Sequence, residues 1–187
     1  MPDPGEITML IAAANGGDAT ATERLLELLY GELERLARRQ LAGHRRGTLL
    51  DTSDLVHEAY LKLVAGASLP AGGRDHLLAV AARAMRQIAI DNARARAAQK
   101  RGGGVKPVTL DENNAMAAGP DADLMALDQA LDRLAELNPR LVQVVECRYF
   151  AGLTEEETAQ TLDISVRTVQ RDWIKARGWL RREMERS

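Results

Sequence analysis

Apolar side chains recur at spacings of three and four along most of this chain, and that limits its fold more than any other feature. Between Ala19 and Leu41 the stripe is Leu25, Leu28, Leu29, Leu33, Leu36 and Leu41, one face of a helix at 3.6 residues per turn. Leu55, Val56, Ala59 and Leu63 repeat it from Asp51 to Val64, and Leu78, Ala82, Met85 and Ala89 from Asp75 to Ala98. Leu124, Leu127, Leu131 and Leu134 carry it again further on. Aromatic residues make up 3% of the sequence, too few for the half-buried surfaces on which sheets depend. The fold class expected is therefore all-α.

The periodicity stops once. Gly102-Gly103-Gly104 opens a stretch with Pro107, Asn113, Asn114, Gly119 and Pro120, residues that interrupt helices and form turns. It reads as a flexible linker over 102–122, between helical domains at 1–101 and 123–187. A length of 187 residues allows one medium domain or two small ones. In the second one, Asn138-Pro139 is an N-cap followed by a proline where no N–H is needed. Val142, Val145 and Tyr149 would then face inward. Thr154 with Glu157 matches a capping box, and Ser165 caps a last helix from Val166 to about Met184.

Net charge is −2, which by itself argues weakly against nucleic-acid binding, but its distribution argues for it. Arg83–Lys106 holds seven basic residues and one acid, and Ile164–Ser187 seven and three, while the segments between and before them are acidic. Attraction to phosphates depends on local clusters, so two separate footprints on one polyanion are expected.

Other classes fare worse. No apolar run approaches a membrane span, so no membrane insertion is expected, and Met1–Gly5 lacks the start of a signal peptide. The single cysteine, Cys147, excludes an internal disulfide and fits the reducing cytoplasm; it lies next to an apolar helix face and reads as packed. His57-Glu58 begins like a zinc-protease helix, but position 61 is Leu, so the ligand at i+4 is missing. His44 and His76 add no ligand spacing, and no glycine loop cradles a phosphate. Neither a cofactor nor an enzyme activity is expected.

The strongest local signal runs from Thr154 to Lys175. A short helix over 155–162, a break at Asp163-Ile164-Ser165 and a longer helix make a helix-turn-helix. Ala159 stands where the helices must approach, and Leu162, Ile164, Val166 and Val169 form the small core between them. Asp163 takes the turn position, since Asp tolerates a left-handed backbone better than most residues. That leaves Arg167, Thr168, Gln170, Arg171 and Lys175 on the outer face. Arg and Gln are able to pair with guanine and adenine edges; Thr168 and Lys175 suit phosphates.

The segment Leu137-Asn138-Pro139-Arg140, with Val145, Arg148, Tyr149 and Leu153–Ala159, resembles the fourth conserved domain of bacterial sigma factors, which reads the −35 promoter element. Asp51-Thr52-Ser53-Asp54-Leu55-Val56-His57-Glu58 is similar to the helix of their second domain that binds the polymerase clamp, and Arg83–Arg96, ending in Lys100-Arg101, to the adjoining helix that engages the −10 element. With no third domain, the arrangement is that of the extracytoplasmic-function (ECF) group of the sigma-70 family.

The resemblance implies a transcription initiation factor with core RNA polymerase and promoter DNA as partners, monomeric when free. It assigns Asp51, Asp54, Leu55 and Glu58 to polymerase, and Arg83, Arg86, Asn92, Arg94, Arg96, Lys100 and Arg101 to the −10 element. Arg83, Arg86, Arg94 and Arg96 are expected on the exposed side of their helix. Where the family motif often has a further acid, this chain has Thr52 and Ser53, which suggests phosphorylation by a Ser/Thr kinase. Kinase control and an anti-sigma factor both remain open. The alternative is a helix-turn-helix regulator that never joins polymerase, which would leave Asp51–Leu63 and the Arg83–Arg101 block unexplained.

Overall fold

In the computed structural model, residues 3–41, 50–65, 69, 72–102 and 120–186 are described. They form α1 (Pro4–Asn15), α2 (Ala19–Leu41), α3 (Thr52–Ala65), α4 (Gly73–Gly102), α5 (Pro120–Leu137), α6 (Pro139–Val145), a single wide turn of π type (Glu146–Ala151), α7 (Glu155–Leu162) and α8 (Val166–Met184). The all-α expectation holds, and none of these helices is long and apolar enough to cross a membrane.

Local chemistry accounts for most helix ends. Asp3 caps α1 by accepting from the Gly5 amide, with Pro4 in the first turn. Ile7, Leu10, Ile11 and Ala14 of this helix recur at helical spacing and pack on the core, and Asp3-Pro4 is a start signal, so both signs of this helix were present in the sequence. Most of the expected linker, 103–119, lies outside the described residues. At its edges, α4 runs on through Gly102 and α5 begins at Pro120, which a first helical turn tolerates.

Tyr149 does not face inward. It is exposed, while Phe150 is buried together with Val142 and Val145. The π-type turn, with i to i+5 bonding, holds one more residue than an α turn and so rotates the inward face by one position. Gly152 then closes the segment at φ 72, and the Leu153 amide donates to the Cys147 carbonyl at 2.9 Å. A side chain at Gly152 would run into the Arg39 guanidinium.

The two helical halves share one core. Ile7, Leu29, Leu55 and Met85 from the first are continuous with Leu131, Val145, Phe150 and Leu180 from the second. Helix α4 is the common wall: it packs on α1, α2 and α3 of the first half and on α5, α7 and the π-type turn of the second. A smaller cluster joins Val144 of α6 to Ala159 and Val169 of the helix-turn-helix, flanked by Leu162, Ile164 and Val166.

Candidate nucleic-acid and polymerase interfaces

The helix-turn-helix is built as its sequence implies. Thr154 Oγ1 accepts from the Glu157 amide at 3.1 Å, and Glu157 accepts from the Thr154 amide at 2.7 Å, so two amides unsatisfied by the helix are satisfied reciprocally. Asp163 adopts the left-handed conformation, φ 52, and the Ile164 amide returns to the Ala159 carbonyl at 3.0 Å. Ser165 then caps α8 by accepting from the Thr168 amide at 3.2 Å.

Along α8, Val169, Asp172, Ala176 and Leu180 are buried, while Arg167, Gln170, Arg171 and Lys175 are exposed. The predicted row is thus brought together on one face, apart from Thr168. That residue is half-buried, and its hydroxyl lies 2.9 Å from Ser165 Oγ. Gln170 Nε2 donates to Glu155 Oε2 at 2.7 Å and Arg171 Nε to Asp172 Oδ1 at 3.1 Å, so both side chains are partly oriented beforehand.

Asp172 was not singled out from the sequence, because a lone acid in a basic helix looks like solvated surface. It is 1% exposed and accepts from Arg140 Nε at 2.7 Å as well as from Arg171. Burial opposes ionisation, yet the hydrogen bonds from Arg140 and Arg171 prevail and hold the carboxyl below its ordinary range. Asp172 therefore ties the start of α6 to α8 and sets the direction of Arg171.

At the start of α3, Asp51 Oδ1 accepts from the Asp54 amide at 2.8 Å, and Asp54 Oδ2 accepts from the Asp51 amide at 3.3 Å. The two acids cap the helix and remain exposed, as do Ser53 and Glu58; Thr52 is half-buried. Leu55 corrects the expectation that it belongs to a docking surface: it is 0% exposed and lies in the core. Its place in the motif is to anchor the helix that presents Asp51, Asp54 and Glu58.

Helix α4 departs furthest from expectation. Arg83 and Arg94 are exposed and Arg96 is half-buried, but Arg86 is buried. Its Nη1 donates to Asp128 Oδ1 at 2.9 Å and its Nη2 to Glu146 Oε1 at 3.2 Å, and its guanidinium lies 5.4 Å from the Phe150 ring centroid. Arg94 Nη2 reaches Asp128 Oδ2 at 3.1 Å, and Arg83 Nε lies 3.6 Å from Glu146 Oε1. Asn92 donates from Nδ2 to the Ile88 carbonyl at 3.0 Å. The side chains of Lys100 and Arg101 lie outside those described. Arg86 borders the apolar stripe of α4, and the second half of the chain covers that border, which no local pattern discloses.

Cys147 is buried. Burial, with the charges of Glu146 and Asp75 adding to it, pushes its thiol up to about 12, so it is a packed group rather than a nucleophile. Among the described residues no cluster of His, Cys, Asp and Glu is fit to hold a metal.

The family model described as "ECF sigma factor" matches residues 4–186. This chain belongs to the ECF sigma factor family. Its role is that of a sigma factor, a DNA-binding protein of transcription. Among solved structures, "Structure of CnrH in complex with the cytosolic domain of CnrY" is 18% identical, with 97% of this chain and 99% of that chain covered and a TM-score of 0.45. No curated protein matched.

Proposed function

We propose that this ECF sigma factor joins core RNA polymerase through the start of α3 and directs it to promoters, α8 reading the −35 element and α4 the −10 element. The working units of this reading are 1–101 and 123–187. The observation that carries it is the division of α8 into two faces. Arg167, Gln170, Arg171 and Lys175 stand exposed opposite the buried Val169, Asp172, Ala176 and Leu180, as a helix in the major groove requires. On α3, exposed Asp51, Asp54 and Glu58 supply an acidic patch for a basic element of polymerase. On α4, Arg83, Arg86, Asn92, Arg94 and Arg96, with Lys100 and Arg101 beyond them, are the groups assigned to DNA around −10.

Thr52 and Ser53 carry the regulatory part of the reading. Both lie in the first turn of α3, where backbone amides favour an anion. A phosphate on either would add about −1.5 to −2 charges beside Asp51 and Asp54. Kinase control is favoured by these hydroxyls; an anti-sigma factor is the other means of control.

The test is a pull-down of the purified chain with bacterial core polymerase. Asp51→Arg/Asp54→Arg should abolish binding. Asp51→Asn/Asp54→Asn retains cap acceptors and should weaken it through charge alone. Loss with Arg but not with Asn would assign the acids to capping. Thr52→Ala/Ser53→Ala with full activity in cells would remove phosphorylation from the reading. Absence of binding by wild type and by Thr52→Glu alike would leave a helix-turn-helix regulator that acts without polymerase.

A further inference from the structure

Among the described residues, Arg86 is the one basic side chain that is buried, and the acids that hold it, Asp128 and Glu146, are buried as well. All three belong to the contact between the two halves: Arg86 comes from α4, Asp128 from α5 and Glu146 from the π-type turn. The same two carboxylates reach Arg94 at 3.1 Å and Arg83 at 3.6 Å. Two acids of the second half therefore engage three arginines along one helix of the first. Those arginines are among the groups assigned above to DNA.

A phosphate approaching Arg86 would need the guanidinium edge that Asp128 and Glu146 already occupy, and would meet their negative charge. We infer that this packed arrangement is a closed state in which Asp128 and Glu146 take the place of DNA phosphates on Arg83, Arg86 and Arg94. DNA binding through α4 then requires the second half to leave α4. The inference rests on the reading that α4 meets promoter DNA.

The contact is suited to opening. Buried ion pairs are held against the desolvation of their charges. Burial pushes the Asp128 carboxyl above its ordinary value even with Arg86 and Arg94 beside it, so rehydration on opening offsets part of the lost attraction. Arg86 Nε also has no hydrogen-bond partner. Because acids and DNA compete for the same groups, the population of the open state scales the apparent DNA affinity of the free chain.

Cys147 reports opening. It is the one cysteine of the sequence and is buried beside Glu146 with Asp75 of α4 acting on it. The experiment compares full-length wild type with Asp128→Asn/Glu146→Gln. It measures the rate at which an aromatic disulfide labels Cys147 in native buffer and the affinity for a mixed-sequence DNA duplex by fluorescence anisotropy. The variant should label about tenfold faster or more, since a buried cation left without its partners favours local opening. Its DNA affinity should rise several-fold, and adding Arg83→Ala/Arg86→Ala/Arg94→Ala should cancel that gain. Asp123→Asn/Glu136→Gln, which removes the same charge from exposed positions of α5, should change neither quantity.

Unchanged labelling in the double variant overturns the inference, and so does faster labelling without tighter DNA binding. An equal gain in the α5 control also overturns it, by reducing the effect to net charge. If circular dichroism shows that the double variant has lost its helices, Glu146→Gln alone is read by the same criteria. Neither readout uses polymerase, so failure of the pull-down would sink the polymerase reading while the closed state is still judged on its own data.

Discussion

The two basic helices, α4 and α8, look alike in sequence and differ in what surrounds them. Each carries arginines at helical spacing beside an apolar stripe. On α8 the arginine row faces away from the core, and one buried acid, Asp172, orients Arg171 from behind. On α4 the row borders a second body of protein, and Arg86 is enclosed by Asp128, Glu146 and Phe150. Basic residues at regular spacing thus mark a possible DNA surface, but whether that surface is free depends on elements distant in sequence.

Four substitutions would break or sharpen this contrast. The largest effect should come from Arg86→Ala, which leaves Asp128 and Glu146 buried without their shared partner and should destabilise the fold by roughly 3–5 kcal/mol in urea unfolding. A loss below about 1 kcal/mol, the size typical of exposed pairs, would place Arg86 at a hydrated surface and remove the difference between the helices.

Asp172→Asn should lower stability by about 1–3 kcal/mol at neutral pH, since Arg140 and Arg171 lose a charged acceptor. The folded-state carboxyl is held below its ordinary value of about 3.9. Its contribution is therefore fully present above that value and is lost as pH falls through the lowered one. The gap between wild type and variant should accordingly narrow in acid, and a gap that widened would reverse the assigned sign.

Thr154→Ala removes one half of the capping box and should reduce stability by about 0.5–2 kcal/mol, measured by thermal melting. Arg167→Ala should instead leave stability within about 0.5 kcal/mol of wild type and weaken binding to a cognate −35 duplex by about 1–3 kcal/mol if it reads a base. An equal loss on unrelated duplexes would make Arg167 a phosphate contact. In that case the slope of log affinity against log salt should fall by about one.

Local signals were legible wherever a few consecutive residues carry the physics. The Thr154–Glu157 box, the left-handed Asp163, the Ser165 cap and the Asn138 cap could all be read directly, because each closes within four residues. The outward row of α8 was legible too, apart from the half-buried Thr168, since its inner stripe packs on neighbouring helices in the ordinary way. Tyr149 was misplaced because a π-type turn leaves no trace in periodicity. Leu55 was grouped with surface acids because a motif names adjacent residues without dividing their faces. Arg86, Asp128, Glu146 and Asp172 were hidden because a charged residue reads as solvated until its partner is brought to it from 32 to 60 positions away.

The sequence by itself determined an all-helical chain, most helix boundaries, the helix-turn-helix and the family, because apolar period, caps and turn residues act over short range. Tertiary structure alone decided that the two halves share a core across α4 and that one of its arginines is enclosed. Burial of a charge is settled by whichever opposite charges the fold delivers, and those came from α5 and the π-type turn, which no spacing within α4 encodes.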